Sequence, residues 1–318
     1  MAEIVFGVGA SHTTLMNTQW DKVDHLQRAH DFRNALDEAR GLVERLRPDT
    51  IIIVGSNHFR GYWLDMMPAF SIGVGELDAA GEHGTPKGLQ KVDEAMALDI
   101  CNEFIDREYD VAFSTRLSVD HGISHAIQWI VGEQTIPVVP IVINCFAPPL
   151  PSIKRCLDFG DTLRAIVESL PNAKRVGVIA TGGLSHQLPF PDWRKPESDD
   201  DVFLVDSWKE GRGNWSEYEA RRREIIVNSP PQLNENFDHD VLKLLSHGEM
   251  KNFSNYACEE EITQLAGNGA NEIRAWIVMA AALKHHSAKT LCYSAMPEWL
   301  TGMAVAVIEP PSREAEAA

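Results

Sequence analysis

The sequence predicts one α/β domain in which a central, mostly parallel sheet carries helices on both faces. Short apolar runs rich in β-branched residues and bounded by Gly and Ser are typical of buried strands. The first run is followed by a segment with Phe32, Leu36 and Val43 at helical spacing, and then by a second apolar run. This β-α-β order requires parallel strands and a right-handed crossover. Residues 1–309 contain no internal repeat and no composition shift that marks a second domain, so we expect one domain there.

The strand predictions follow the apolar runs in order, at residues 4–9, 51–55, 70–74, 136–143, 176–180 and 303–308. Between the third and fourth runs, the Gly-rich residues 75–88 are predicted to form a loop.

Helices are predicted where apolar residues recur at three- and four-residue steps, at residues 23–46, 89–104, 122–130, 163–170, 218–226, 241–245, 259–265 and 271–283. Residues 189–236 differ in composition from the rest of the chain, since they are rich in charged residues, Trp, Pro and Asn. We interpret them as an excursion over the functional site. Residues 310–318 are predicted to be a disordered tail.

Composition limits the class of protein. The 318 residues carry a formal net charge of −17, which disfavours binding to nucleic acid or to anionic membranes. No apolar run reaches the roughly 18 residues that a membrane span needs, and no charged leader with a cleavage site is visible. The five scattered cysteines form no CxxC pair, which is typical of reduced thiols. We therefore expect a soluble cytoplasmic protein without a nucleic-acid or membrane partner.

Three of the predicted strands lead directly to a histidine. His12 follows the first strand, His58 follows the second, and His186 follows the run at residues 176–180. In open parallel sheets, ligands bind at the carboxyl ends of strands, so the three imidazoles are expected to lie at one edge of the sheet. A single histidine is most often an ordinary core or surface residue, and it is the shared placement that makes these three candidates for metal binding or proton transfer.

Two further sites add an acidic group and a fourth imidazole. Asp120 and His121 stand at the start of a predicted helix, where Asp is a common N-cap and the helix dipole lowers the pKa of an imidazolium. Glu272 opens the segment at 271–283, on the same helical face as Trp276 and Met279. A carboxylate on an apolar face needs a partner if it is buried, and a metal ion would supply one.

Two histidines and one carboxylate on one side of a metal form the facial triad of non-haem Fe(II) oxygenases. The same mixed nitrogen and oxygen ligands also suit Zn²⁺ or Mn²⁺, so residue types alone leave the metal open.

At these positions the chain resembles the class III extradiol ring-cleaving dioxygenases, the superfamily of protocatechuate 4,5-dioxygenase, and most of all its 2,3-dihydroxyphenylpropionate 1,2-dioxygenase group. The matching stretches run from residue 11 to residue 302: SHTTL, SNHFRGYWLDMMPAFSIGVG, VDHG, INCFAPPLP, ATGGLSHQ, NEIRAWIVM and MPEWLTG. The match is weakest at residues 189–236, where we expect substrate selectivity to differ.

The resemblance implies that His12, His58 and Glu272 bind Fe(II), and that His121 and His186 are the catalytic acid/base pair. It implies a homo-oligomeric enzyme of aromatic catabolism that cleaves a catecholic substrate with O₂ to a hydroxymuconic-semialdehyde-type product.

Three alternatives stay open at this point. The first is cleavage of an aminophenol, or of a gallate or protocatechuate type of substrate. The second is a Zn²⁺ hydrolase, and the third is a non-catalytic partner subunit of the same fold. A nucleotide-binding protein has little support, because the sequence contains no GxxxxGK[ST] motif.

Overall fold

The structure is a computed structural model, and it describes residues 1–132, 136–255 and 258–311. Its strands are β1 (Glu3–Ala10), β2 (Thr50–Ser56), β3 (Phe70–Ala80), β4 (Lys87–Gln90), β5 (Ala112–Val119), β6 (Val138–Ile143), β7 (Arg175–Thr181), β8 (Lys289–Met296) and β9 (Thr301–Ile308). Within the described residues they form one sheet in the order β4-β3-β6-β2-β7-β1-β9-β8, and β5 pairs with β3.

The helices are α1 (Leu15–Thr18), α2 (Leu26–Leu46), α3 (Glu94–Asp106), α4 (His121–Ala126), α5 (Ile153–Ser169), α6 (Asp199–Glu210), α7 (Trp215–Val227), α8 (Glu235–Ser246), α9 (Glu259–Ala266) and α10 (Ile273–Ala282). Short 3₁₀ turns occupy Trp20–Lys22, Glu82–Gly84, Met250–Asn255, Asn268–Glu272 and Pro297–Trp299, and a π-helical turn, Ile127–Val131, continues α4. None of the described helices has the length and apolar character needed to cross a membrane.

The predicted α/β architecture is confirmed. Strands β6, β2, β7 and β1 pair in parallel at the centre of the sheet. Antiparallel pairs extend the sheet on both sides, through β9 and β8 next to β1 and through β3 next to β6. The parallel strands are those whose apolar runs are continuous, because both of their faces are covered.

Helices cover both faces of the sheet, and alternate residues of β2 pack against the helices on opposite faces. Ile51 and Ile53 pack with α2 and α4, while Ile52 and Val54 pack on the opposite face with α3, α5 and α10. Every residue of β2 is buried. This two-sided burial holds the carboxyl end of the strand, and the side chains that follow it, in a fixed position.

The prediction of a loop at residues 75–88 is wrong. Strand β3 continues to Ala80, because its second half pairs with β5 in the register Leu77 to Leu117 and Ala79 to Val119. Strand β4 follows and pairs back onto β3. The predicted helix at 89–104 therefore begins only at Glu94, where the Asp93 side chain accepts a hydrogen bond from the Met96 amide at 3.3 Å.

Residues 189–236 contain two helices, α6 and α7, where the sequence predicted one, at residues 218–226. Asp199, Asp200 and Asp201 form the first turn of α6. Ser198 and Asp201 form a capping box there, and acidic side chains near a helix N-terminus interact favourably with its dipole. Of the predicted disordered tail, residues 312–318 lie outside the described residues.

Candidate active site

The four predicted histidines converge at the carboxyl ends of the central strands. His12 follows β1, His58 follows β2, and His186 lies on the segment after β7. His121 is the first residue of α4, which starts beside them. The ring centroids of His58 and His121 are 4.1 Å apart, and that of His12 lies 5.3 Å from His58 and 5.0 Å from His121.

Glu272 joins this cluster from the other end of the chain. It closes the 3₁₀ turn Asn268–Glu272, one residue before α10, and its side chain is fully buried. Its Oε1 atom lies 3.1 Å from His12 Nε2 and 3.5 Å from His58 Nε2. Its Oε2 atom lies 3.7 Å from His186 Nε2.

The Glu272 carboxylate is held in its charged form. It accepts a hydrogen bond from the Gly183 amide at 2.8 Å and another from the Ser56 hydroxyl. Burial alone would raise the pKa of Glu272, but His12 and the neighbouring imidazoles outweigh it and hold the pKa far below its usual range. A buried carboxylate surrounded by imidazole nitrogens is a donor set that favours a cation.

His58 is oriented by Asp120. The Asp120 Oδ2 atom accepts the His58 backbone amide at 2.6 Å, and Oδ1 lies 3.0 Å from His58 Nδ1. The Nδ1 atom therefore carries the proton, and Nε2 is left to face Glu272. Metal-binding histidines commonly donate their second nitrogen to a carboxylate in this way. Asp120 also accepts the Gly122 amide at 2.8 Å, so the predicted N-cap is present and has a second contact that the sequence did not reveal.

His121 is paired with Glu82, a residue that the sequence analysis did not single out. His121 Nδ1 lies 2.5 Å from Glu82 Oε1, and the His121 amide donates to the same oxygen at 3.2 Å. Burial first, and then the charge of His58, lowers the pKa of His121 to about 4, so the ring is neutral near pH 7. Glu82 was missed because it lies in the segment predicted to be a loop, and no motif marks it.

The His186 ring is positioned by a backbone carbonyl group and by the absence of a side chain at a nearby glycine. Its Nδ1 atom lies 3.1 Å from the Leu184 carbonyl oxygen and must donate, which leaves Nε2 with a free lone pair. A side chain at Gly269 would place Cβ 2.1 Å from His186 Nε2, so only glycine permits the ring to lie here. Burial is the main cause that lowers the pKa of His186.

His12 differs from the other three imidazoles in the polar contacts of its ring nitrogens. The ring is buried, its Nδ1 atom has no polar partner among the described residues, and its Nε2 atom faces Glu272 Oε1 at 3.1 Å without a hydrogen bond. Buried polar atoms are rarely left without a partner, so an imidazole nitrogen that faces a carboxylate in this way indicates a site for a cation that both would bind.

The residues present fit a metal ion. The ligand atoms of His12, His58 and His121 all lie within 4.8 Å of one another, and those of Glu82, Asp120 and His121 form a second group of the same kind. Two ligand atoms bound to one metal at about 2.1 Å in adjacent positions lie about 3 Å apart. The spacing of Glu272 Oε1 from the Nε2 atoms of His12 and His58 is close to this value.

The cluster forms the floor of a cleft of about 800 Å³, including its mouth. Apolar side chains line part of the wall, among them Leu188, Phe190, Trp299 and Leu300. Helix α7 supplies Trp215, Glu219, Arg222 and Arg223 on another part, with Arg60 nearby. The cleft can therefore hold an aromatic ring over the imidazoles and a polar substituent beside α7.

Comparison with known proteins agrees with this geometry. Residues 7–304 match the family described as the catalytic LigB subunit of aromatic ring-opening dioxygenase. A 2,3-dihydroxyphenylpropionate/2,3-dihydroxicinnamic acid 1,2-dioxygenase of Rhodococcus jostii (strain RHA1) is 33% identical over 290 residues, which cover 86% of this chain and 90% of the relative. The protein of the same name from Photorhabdus laumondii is 30% identical over 317 residues, which cover 94% and 96%.

Among solved structures, an uncharacterized protein from Escherichia coli K12 superposes with a TM-score of 0.54. The superposition covers 96% of this chain and 99% of that protein, at 15% sequence identity. At that identity the similarity concerns the fold alone.

Proposed function

Since the chain belongs to the family of catalytic subunits of aromatic ring-opening dioxygenases, we propose that it uses Fe(II) and O₂ to cleave a catechol beside its two hydroxyl groups. As an extradiol ring-cleaving oxidoreductase, it acts in the breakdown of aromatic compounds. The product is of the hydroxymuconic-semialdehyde type. The observation that carries the choice of metal chemistry is the fully buried Glu272 carboxylate among imidazole nitrogens, which His12 Nε2 faces at 3.1 Å without a hydrogen bond.

We assign Fe(II) binding to His12, His58 and Glu272. When bound, Fe(II) would act as a Lewis acid and pass electron density between the aromatic ring and O₂. Asp120 supports this assignment, because it fixes the proton of His58 on Nδ1 and turns Nε2 toward Glu272. His121 lies close enough to be a ligand as well, but its hydrogen bond to Glu82 and its neutral ring favour a role in proton transfer.

The acid/base pair is His121 and His186. Each has its Nδ1 proton committed to a protein oxygen, on Glu82 and on Leu184 respectively, so that Nε2 is free to accept a proton. One Nε2 atom would take a phenolic proton from the substrate as general base, and this proton, kept on that ring or passed to the other, would be returned to oxygen as the aromatic ring opens. The lowered pKa values of both rings leave them unprotonated near pH 7, which is the state that a general base requires.

Residues 189–236 are proposed to cover the cleft and to select the substrate. This segment supplies α7, whose side chains line the wall above the imidazoles. The relatives are named for catechols with a three-carbon acidic side chain, which supports a substrate of that general shape.

Residues 1–309 would then be one catalytic domain. The family resemblance supports a homo-oligomeric enzyme, and the five unpaired cysteines support a reducing, cytoplasmic compartment.

The test is reconstitution with Fe(II) under anaerobic conditions, followed by oxygen-uptake and ultraviolet-visible assays on a panel of substrates. The panel contains 3-substituted catechols, protocatechuate, gallate and 2-aminophenol. We expect stoichiometric oxygen uptake and a yellow ring-opened product with a catechol, and no activity after loading with Zn²⁺. Iron-loaded protein that consumes no oxygen with any member of the panel would contradict the proposal.

A further inference from the structure

Arg222 is a buried cation without an anionic partner. It lies on α7, is 4% exposed, and lines the same cleft as the site histidines. Its Nε and Nη1 atoms are buried and make no hydrogen bond with any residue that the structure describes. The nearby carboxylates of Glu82 and Glu219 pair instead with Arg60, at 3.2 Å and 3.5 Å.

The contact that Arg222 does make cannot replace a counter-ion. Its guanidinium lies over the Trp215 ring at 3.8 Å, but the Arg60 guanidinium lies over the same ring at 3.3 Å. The two like charges repel each other, and a cation–π contact offsets only part of the cost of burying an unpaired charge. Burial first, and Arg60 second, lowers the pKa of Arg222 to about 9, so the group is still protonated near pH 7.

The two arginines that flank Arg222 on α7 do have polar partners. Arg223 donates to the hydroxyl groups of Thr14 at 3.2 Å and Thr18 at 2.7 Å. Arg221 points away from the cleft and pairs with Asp200 at 2.8 Å. Of the three consecutive arginines, Arg222 is therefore the one without a polar partner among the described residues. Such a group in a chain with a net charge of −17 indicates a site for an anion.

We propose that Arg222 binds a carboxylate on the side chain of the aromatic substrate and thereby selects acidic catechols over neutral ones. This inference rests on the proposed function, and it names the part of the substrate that α7 recognises. A planar guanidinium matches a carboxylate through two parallel hydrogen bonds. A dianionic phosphate would bring a second negative charge close to Glu82 and Glu219, so a carboxylate, with one charge, is favoured.

The experiment compares two substrates that differ in charge and hardly in size: a catechol with a propionate side chain at position 3, and its primary amide. The variants are Arg222→Met, Arg222→Lys and, as a matched control one position away, Arg221→Met. Each is loaded with Fe(II), and kcat and KM are measured separately for both substrates.

In the wild-type protein we expect the propionate to be preferred in kcat/KM. Arg222→Met should reduce the ratio of the two kcat/KM values by about 10- to 100-fold, because a hydrogen bond to a charged group is lost. The change should fall mainly on the KM for the propionate. Arg222→Lys should restore part of the preference, and Arg221→Met should leave the ratio and both activities unchanged.

The inference fails if the ratio is the same in the wild type and in Arg222→Met. A variant that loses both activities equally would also overturn it, since Arg222 would then only position Trp215. In either case the cleavage of the amide by the wild-type enzyme still supports the proposed function. If wild-type, iron-loaded protein cleaves neither substrate nor any other catechol, it is the proposed function that fails.

Discussion

Three of the four imidazoles in the cleft are distinguished by what holds their Nδ1 atoms. His58 donates to Asp120, His121 to Glu82, and His186 to the Leu184 carbonyl, while His12 has no such partner. These contacts decide which nitrogen carries the proton and therefore which atom is free to act. Their placement at strand ends could be predicted from sequence, because each of His12, His58 and His186 directly follows an apolar run. Their partners could not, since they come from segments remote in sequence or from backbone atoms.

Substitutions of the proposed ligands and of the proposed proton-transfer residues should have different effects on iron content and on turnover. His12→Ala and Glu272→Ala remove proposed ligands, so we expect them to lose iron. His121→Ala and His186→Ala should retain iron and lose turnover by about 10²- to 10⁴-fold, the usual contribution of a positioned general acid or base. Iron content after anaerobic reconstitution and oxygen uptake measure the two effects. Loss of iron from His121→Ala would make this residue a ligand, and normal turnover by His186→Ala would remove it from catalysis.

Gly269 offers a test of His186 that leaves the imidazole in place. In Gly269→Ala, the new methyl group would lie 2.1 Å from His186 Nε2, so the ring must move. A displacement of about 1 Å can cost about 100-fold in rate, and we expect a loss of that order in kcat with iron content unchanged. Gly41→Ala is the matched control, because nothing lies within 4 Å of its Cβ position. Equal activities of the two variants would show that the position of His186 does not matter.

At the scale of elements, α4 links the proposed metal site to the fold. Asp120 is the single residue between β5 and α4. It caps α4 through the Gly122 amide and holds His58 through two contacts. One carboxylate thus fixes both the start of a helix and the orientation of a proposed ligand. The sequence predicted the cap, because Asp before an apolar helical segment is a familiar signal. It did not predict the contact with His58, which depends on the pairing of strands far apart in the chain.

We expect Asp120→Asn to weaken metal binding by about 10- to 100-fold, as is typical when the partner of a metal-bound histidine is altered. Competition with a chelator measures this affinity. Asp93→Asn makes the same change at the N-cap of α3, where Asp93 contacts Lys174 and not the cleft. It should therefore leave the metal affinity unchanged. Equal affinities of the two variants would mean that Asp120 serves only the helix.

Elsewhere, sequence signals succeeded or failed for identifiable reasons. Strand β2 was evident, since burial on both faces makes it continuously apolar. Strand β5 was missed because exposed residues such as Phe113 and Arg116 break its apolar pattern. Helix α6 was not predicted, because its acidic first turn, which Ser198 and Asp201 cap, lacks the apolar periodicity on which the helix predictions depend. Arg222 gave no signal at all, since its significance depends on what surrounds it in the folded chain.

At the scale of the whole molecule, stability should depend on pH through Asp93. This carboxylate accepts hydrogen bonds from Lys174, from the Thr50 hydroxyl and from the Met96 amide. Burial acts to raise the pKa of Asp93, but these contacts outweigh it and lower the pKa. An acid with a lowered pKa in the folded state stabilises the protein above its unfolded value of about 3.9, and this contribution is lost as the pH falls through the folded value.

Asp93→Asn should therefore reduce the free energy of unfolding by about 1–2 kcal/mol at pH 7. The difference from the wild type should shrink as the pH falls below about 4. Urea denaturation at several pH values measures both effects. The exposed Asp110, changed in the same way, should have little effect at any pH. A difference between Asp93→Asn and the wild type that stays constant from pH 7 to pH 3 would contradict the assignment.

The position of β1 in the sheet has a consequence for how the protein is made. Its neighbours are β7 and β9: Glu3 pairs with Arg175, and Gly7 pairs with Ile308. At the usual rate of translation, about 300 residues take roughly 15–60 s. Until β7 has been made the nascent chain carries an apolar strand with neither neighbour in place, and until β9 has been made one side of that strand stays unpaired. Such strands invite aggregation. Chaperones that shield emerging chains should therefore raise the yield of native enzyme.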